Sequence, residues 1–468
     1  MNPSASSLLD NYSIPVNEEV LEGGSLSQRL EKRGFYYDEH GKLRLNSNIF
    51  VAYVLYRIRL KYCKGIYYIY HRRLGKYQEI SNDDLLRITR EIIHEAQDNL
   101  YHSSFSNEYM RVLRLETPQV ERMNPNKLLI NVKNGMLNIL TSELMPHSSE
   151  YYSTVQLDLE YDPEAEPSRF LQYISEVTLG DGELAELLQE VVGYILSPET
   201  RIQKAFFLVG GGSNGKGILT RLITLLVGEQ NVSNLTLSDF GDRFRLANLV
   251  GKAVNIAAEN EIGHRGLHSE RFKQLVAGDD VVVERKYQEP CSFTPTCKFL
   301  FAVNSLPRTT DHSHGLYRRL LLIPFDRQFR DEEQDKELID QLKGELPGIL
   351  NWALKGLNRL MENDFNFTTS EKAERLLSRY KQEQNPLLAF VRASIVSGSD
   401  QEGLFRSELR KALHVWCTNN GMEELMKLPG QKLWPMFKSV LESLDLPNEE
   451  KQYNGNYRFK GLKWKDGC

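Results

Sequence analysis

An apolar run, Ala205-Phe206-Phe207-Leu208-Val209, breaks into Gly210-Gly211-Gly212-Ser213-Asn214-Gly215-Lys216-Gly217 and resumes at Ile218 as a helix-forming run to residue 227. The order is strand, glycine-rich turn, lysine, helix. It restricts the surrounding fold to a sheet flanked by helices, because a buried strand must hand the chain directly to a helix. It also provides what a phosphate cradle needs. Glycines let backbone N–H groups turn toward an anion, the helix start adds the positive end of its dipole, and the lysine meets the outer phosphates. A plain glycine turn is the alternative for this segment taken alone.

The cradle departs from the common pattern at one place. G-x-x-x-x-G-K-[ST] ends in a hydroxyl residue that ligates magnesium, and here that residue is Gly217. The ligand then comes from elsewhere or from water. Thr220, one turn into the helix, is a minor candidate.

The rest of the chain suits a soluble protein of about three domains, with 468 residues, 41% hydrophobic and 26% charged. A net charge of −5 means that any contact with a polyanion must be local. Five cysteines without CxxC spacing argue against zinc or a disulfide framework and fit a reducing cytoplasm. The polar, acidic start does not read as a signal peptide. No apolar run approaches the roughly 20 residues that span a bilayer, so no membrane partner is expected.

The first 30 residues are polar and expected to be loose. Aromatic and β-branched runs over 50–80 predict a hairpin, and 82–100 a helix. Asn134-Gly135 marks the turn of a second small β unit at 131–137. Pro163 and Pro167 among acids mark a boundary, and two helices follow over 168–198. Strands and helices alternate from 201 to 330, helices fill 331–385, and a small helix-and-strand module closes the chain from 386.

Three further elements repeat the theme of an apolar strand ending in polar residues. Residues 253–258 deliver Glu259 and Glu261, suited to a magnesium/water shell and to water activation, with the two roles interchangeable. A solvated acidic loop is the bland alternative. Residues 298–303 deliver Asn304, an amide able to hold the attacking water or touch a terminal phosphate, where an ordinary turn former would also fit. Arg318-Arg319 abut the run 320–325 and suit either a neighbouring subunit's triphosphate or an internal salt bridge, with Asp311 as a candidate partner. Between these, 270–296 holds Lys273, a further candidate for DNA contact, and a β run that reads as a hairpin whose tip carries Arg285, Lys286 and Tyr287. That tip suits a nucleic-acid backbone and a stacked base, or plain solvent.

With these motifs in order, the chain resembles superfamily 3 helicases of the phage/plasmid and poxvirus primase–helicase group. The resemblance rests on Gly212-Ser213-Asn214-Gly215-Lys216, on Glu259 and Glu261, and on Lys273, Gly278 and Lys286. It also rests on Asn304-Ser305-Leu306-Pro307-Arg308-Thr309-Thr310-Asp311, Gly315, Arg318-Arg319 and Pro324-Phe325. Outside the motor it extends to residues 131–137, Pro146-His147 and residues 346–352, covering about 65–465.

The resemblance implies a multidomain α/β and α+β protein. It would comprise a flexible N-terminus (1–30), an α+β helicase-associated domain (31–165), a helical connector (166–200), an AAA+-like P-loop motor with a central parallel sheet (201–330), a helical segment (331–385) and a winged-helix-like domain (386–468). It implies an ATP- and Mg2+-dependent DNA helicase. Such an enzyme forms a homo-oligomeric ring, usually a hexamer, and moves 3′→5′ on single-stranded or forked DNA beside a primase or polymerase. Lys216 would hold phosphates, Asn304 would sense the terminal one, one arginine would reach the next subunit, and Lys286 with Tyr287 would line a channel. Many relatives carry a primase domain upstream. The roughly 60 residues here are too few for one, so primer synthesis is not expected. Two other readings stay open: an origin-binding initiator with Arg406, Arg410 and Lys411 on a helix face, and an AAA+ remodeller of proteins.

Overall fold

Four apolar runs and the two-residue strand Val232–Ser233 pair into one parallel sheet, buried on both faces as parallel strands require. The computed structural model describes residues 8–14, 25–259, 267–284, 291–307, 309, 311, 313–420, 422–453 and 455–465. In chain order, the central unit comprises helices Ser168–Thr178 (α1) and Gly182–Leu196 (α2), strand Ala205–Val209 (β1), helix Lys216–Val227 (α3) and strands Val232–Ser233 (β2) and Val254–Glu259 (β3). Helix Ser269–Ala277 (α4), strands Lys298–Val303 (β4) and Leu320–Pro324 (β5), and helices Leu346–Glu362 (α5) and Glu371–Gln384 (α6) follow. The strands lie in the order β2-β3-β4-β1-β5, all parallel. This is a P-loop-like α/β sheet.

The alternation of β1 builds two cores. Phe206 and Leu208 join α1, α2, α3 and α5 on one face; Ala205 and Phe207 join α4 and Tyr380 of α6 on the other. The second face is an aromatic stack, with the Phe207 and Phe301 rings 5.0 Å apart. Helices expected as a connector and as a separate helical segment therefore belong to the sheet's own core. Their polar ties agree. Glu190 of α2, 1% exposed, meets Arg359 Nε of α5 at 2.7 Å and accepts from the Thr368 backbone N–H at 2.7 Å. Glu345 caps α1 from outside, accepting from the N–H groups of Arg169 and Phe170 at 2.9 Å each.

Residues 129–161 also join this core. Ile130, Val132 and Leu137 of the small β unit, with Leu157 and Leu159, pack beneath α3 and its neighbours. The proline-marked stretch before α1 is thus a turn, with its Asp162 and Ala165 carbonyls held by Asn351, and the core runs across it. A separate N-terminal core spans Leu9 to Leu113. Helices Ser47–Arg57, Asn82–His94 and Ser103–Glu116 contribute to it, beside the sheet of Leu60–Cys63, Ile66–His71 and Lys76–Ile80. The start of the expected hairpin is helical instead. Asn46 caps it, accepting from the N–H groups of Asn48 and Ile49 at 3.1 and 3.3 Å. The expected loose start is likewise partly ordered, since residues 8–11 form a short helix with Leu9 buried.

The C-terminal unit has its own core. A helix Pro386–Ser394 leads to strand Gly403–Phe405, helices Arg406–Asn420 (α7) and Gly430–Ser443 (α8), and the antiparallel pair Glu450–Tyr453 and Asn456–Lys460. Among the described residues, no helix is long and apolar enough to cross a membrane.

Candidate active site

The loop 210–215 leaves the carboxyl end of β1, the edge of a parallel sheet where ligands are commonly bound. Its shape depends on two backbone choices. Gly212 and Gly215 sit at φ +102° and +89°, a region that glycine enters without strain. At Gly215 a Cβ would also stand 2.7 Å from Val177 Cγ1 of α1. The loop is held from three sides: the Tyr173 hydroxyl donates to Gly215 O (3.0 Å), Asn214 Nδ2 donates to Phe325 O (3.2 Å) and the Phe329 N–H donates to Ser213 O (2.7 Å).

Lys216 opens α3 and is 6% exposed. Its Nζ donates to Gly210 O at 2.5 Å, to Asn214 Oδ1 at 3.0 Å and, at the limit of a hydrogen bond, to Asn304 Oδ1 at 3.5 Å. These acceptors are all neutral, and burial lowers the lysine's pKa. An anion brought to this ammonium gains more than it would from a lysine already in a salt bridge. No side chain caps α3 at Gly215, so the helix start turns the positive end of its dipole to the cavity without a capping group. The walls enclose a cavity of about 440 Å3. The cradle, the buried cation and the uncapped helix start fit a nucleoside triphosphate.

Asn304 follows β4 directly, and Glu259 ends β3 in register with Val303. The sheet therefore brings the Glu259 backbone and Asn304 beside the loop. The Glu259 side chain, all of Glu261, and the hairpin-tip residues Arg285, Lys286 and Tyr287 lie outside the described residues. For magnesium the loop itself offers little. A Cβ at Gly217 would meet nothing within 4 Å, so the space of the usual hydroxyl residue is open, and the Thr220 hydroxyl donates to Gly217 O at 3.0 Å. Among the described residues no three His, Cys, Asp or Glu side chains group as a metal site.

Two family models match this chain. One, described as "D5 N terminal like", covers residues 47–179, and the other, a family of unknown function, covers 208–319. "Putative helicase V13" of Sputnik virophage is 20% identical over 416 residues, spanning 80% of this chain and 52% of the relative. "Putative helicase 121R" of Invertebrate iridescent virus 3 is 24% identical over 231 residues, spanning 46% of this chain and 24% of the relative. "Putative primase C962R" of African swine fever virus (isolate Tick/Malawi/Lil 20-1/1983) is 21% identical over 364 residues, spanning 69% and 37%. The chain is related to the phage and viral primase–helicases. It spans between about a quarter and about half of the length of these relatives. The apo structure of the NrS-1 C-terminal region superposes with a TM-score of 0.50 at 14% identity, covering 90% of this chain and 100% of that one. That likeness concerns the fold.

In this relative of the primase–helicases the two arginines differ sharply. Arg318 is exposed. Arg319 is 9% exposed, donates from Nη1 to Gly315 O at 2.7 Å, and has its pKa lowered by burial and by Arg318. Both precede β5, whose Leu320 pairs with Ala205 at the start of β1. Lys216 follows the other end of β1, whose four steps span about 13 Å at ~3.3 Å per residue, and neither arginine lines the cavity. The suggested partner Asp311 instead holds Lys273 of α4, Nζ to Oδ2 2.8 Å. Burial acts to raise the Asp311 pKa, but hydrogen bonds from Lys273 and Ser313 hold it down at about 2. The hairpin strands Val281–Val283 and Cys291–Phe293 do pair.

The sequence reading missed the far wall of the cavity. It comes from Arg169, Tyr173 and Glu176 of α1 and from Phe329, Glu333 and Asp335. These residues follow no motif spacing; the packing of α1 against the loop places the first three, and the chain leaving β5, tied by the Phe329 N–H to Ser213 O, places the others.

Proposed function

We propose that this chain hydrolyses ATP and uses the turnover to unwind DNA, as a ring of like subunits, usually six, moving 3′→5′ along one strand. The observation that carries the reading is the buried Lys216 ammonium, set in a glycine cradle at the carboxyl edge of a parallel sheet and shared with Asn304. Lys216 would stabilise charge on the outer phosphates, and Asn304 would touch the terminal phosphate or its attacking water. Glu259 would stand toward magnesium, which when bound with the nucleotide neutralises phosphate charge, and Glu261 would orient water. Arg318, exposed and remote from its own cavity, is the better finger for a neighbouring subunit. Arg319 is buried, with its Nη1 held by the Gly315 carbonyl. Lys273 braces Asp311, leaving DNA contact to Arg285, Lys286 and Tyr287 at the hairpin tip.

The test is ATP hydrolysis with and without single-stranded DNA, together with displacement of forked duplexes of either polarity. The proposal expects stimulation by the strand and ATP-dependent displacement from one polarity. Hydrolysis indifferent to DNA, with no displacement, would favour a protein remodeller. A second reading, the origin-binding initiator, draws on the helix–strand–helix–helix–hairpin order of residues 386–460, which suits a winged helix. Its face is partly spent internally. Arg406 pairs with Glu450, and Arg410 Nη2 donates to Leu428 O at 3.0 Å. A duplex footprint that survives deletion of 386–468 would remove that reading.

A further inference from the structure

The amino edge of the sheet, away from the Lys216 loop, holds a second and smaller cavity. Its walls come from three places: the β unit around Asn124 and Lys127, the end of α2 at Ser197 and Pro198, and the motor residues Lys252, Thr296 and Lys298. Three lysines line it and no aspartate or glutamate does. Lys298, the first residue of β4, is 6% exposed, and its Nζ donates to Ser197 O at 2.5 Å. Lys127 Nζ donates to the next carbonyl, Pro198 O, at 3.0 Å.

Capping the end of α2 explains why the two ammonium groups point to the same place. It does not explain why two are there. One carbonyl occupies one of three donors on each ammonium, and two cations facing each other in a buried setting repel. Burial and the charge of Lys127 bring the Lys298 pKa down to about 7. The nearby carboxylate, Glu199, is already engaged by the N–H groups of Thr200 and Arg201 (2.8 and 3.0 Å) and by the Arg201 guanidinium (3.0 Å). The Asn124 and Asn131 amides are bonded within the fold, to Thr154 and to Gly75, Ser153 and Gln156. The cavity measures about 80 Å3. At 10–15 Å3 for one water, that is room for roughly five to eight atoms of that size, and a phosphate group has five.

We propose that Lys127 and Lys298 form a binding site for a single phosphate group, separate from the Lys216 loop, in a cavity that Lys252 also lines. The group neutralises the paired ammonium ions and bridges the β unit, the end of α2 and the start of β4. Free phosphate and a phosphate of a nucleic-acid strand share this chemistry. The inference does not depend on the nucleotide reading of the loop.

The test is calorimetric titration of inorganic phosphate into the full chain carrying Lys216→Met, which disables the loop as a phosphate site, at fixed ionic strength in chloride. One equivalent should bind. Lys298→Met and, separately, Lys127→Met should each weaken it by at least about tenfold, the loss of one charge-assisted contact. Lys127 is only half-buried, so its variant reports even if the Lys298 variant does not fold. Lys343→Met, at an exposed lysine, should bind as the parent does. Competition with an oligodeoxynucleotide then assigns the source: displacement shows a strand phosphate, and no displacement shows free phosphate. No phosphate binding in the Lys216→Met chain, or binding indifferent to both lysine variants, overturns the site. Failure of the nucleotide reading would show separately, as ATP hydrolysis that Lys216→Met leaves intact.

Discussion

Replacing Lys216 by methionine should separate chemistry from folding. The side chain keeps nearly the same length and loses its charge. In the folded chain the ammonium touches the Gly210 carbonyl and the side-chain oxygens of Asn214 and Asn304, at 2.5, 3.0 and 3.5 Å. Each bond from a charged donor contributes about 1.5–3 kcal/mol net, and less at the longest of the three distances. Against them stands the cost of holding a lysine 6% exposed with no anionic partner in the loop, which appears as its lowered pKa. The terms oppose, so stability should change by no more than about 1 kcal/mol, or roughly 2–4 °C in Tm. Catalysis has no such offset. Removing a preorganised charge from developing phosphate charge costs about 2.7–4 kcal/mol, a loss of roughly 100- to 1,000-fold in turnover. Phosphate release at saturating ATP, beside a thermal melt, measures both. Turnover within threefold of the parent, with an unchanged melt, would refute the assignment of Lys216.

Three other substitutions probe the frame. Gly215→Ala forces a Cβ to 2.7 Å from Val177 Cγ1 at φ +89°, so it should cost about 1–3 kcal/mol in urea unfolding and weaken nucleotide binding in parallel. Arg359→Met strands the Glu190 carboxylate, 1% exposed, beneath α5, with an expected loss of about 3–5 kcal/mol by chemical denaturation. Lys298 is depressed in the folded chain, from 10.5 to about 7, so between those values the unfolded chain binds more protons and unfolding free energy rises with pH. Urea melts in phosphate-free buffer at pH 7 and 9 should show that rise, at most about 1.4 kcal/mol per pH unit from this group, and Lys298→Met should flatten it.

The residues around Lys216 were legible because the chemistry is local. A strand, a loop and a helix start fall within about two dozen positions, and glycine stands at the two loop positions where φ reaches +102° and +89°. The ends of β3 and β4 were legible for a similar reason, since apolar runs stop at Glu259 and Asn304. What no local pattern carries is which strands become neighbours. β4 inserts between β3 and β1 although it comes last of the three in the chain. Nor does local pattern reveal shared cores. Ile130 and Leu350, some 220 positions apart, are buried in one cluster, so a turn rich in proline looked like a domain boundary. Charged residues were hardest, because a lysine's role depends on what it faces. Lys273 looked like a contact for DNA and is held by Asp311; Arg406 looked like part of a surface stripe and is held by Glu450 under the Trp434 and Tyr457 rings.

The most direct measurement is a structure of the chain with a non-hydrolysable ATP analogue. The account predicts the outer phosphates inside the loop 210–217, with Lys216 Nζ about 3 Å from their oxygens and Asn304 turned from the lysine toward the terminal phosphate. An analogue bound elsewhere, with Lys216 still resting on the Gly210 carbonyl, would contradict it.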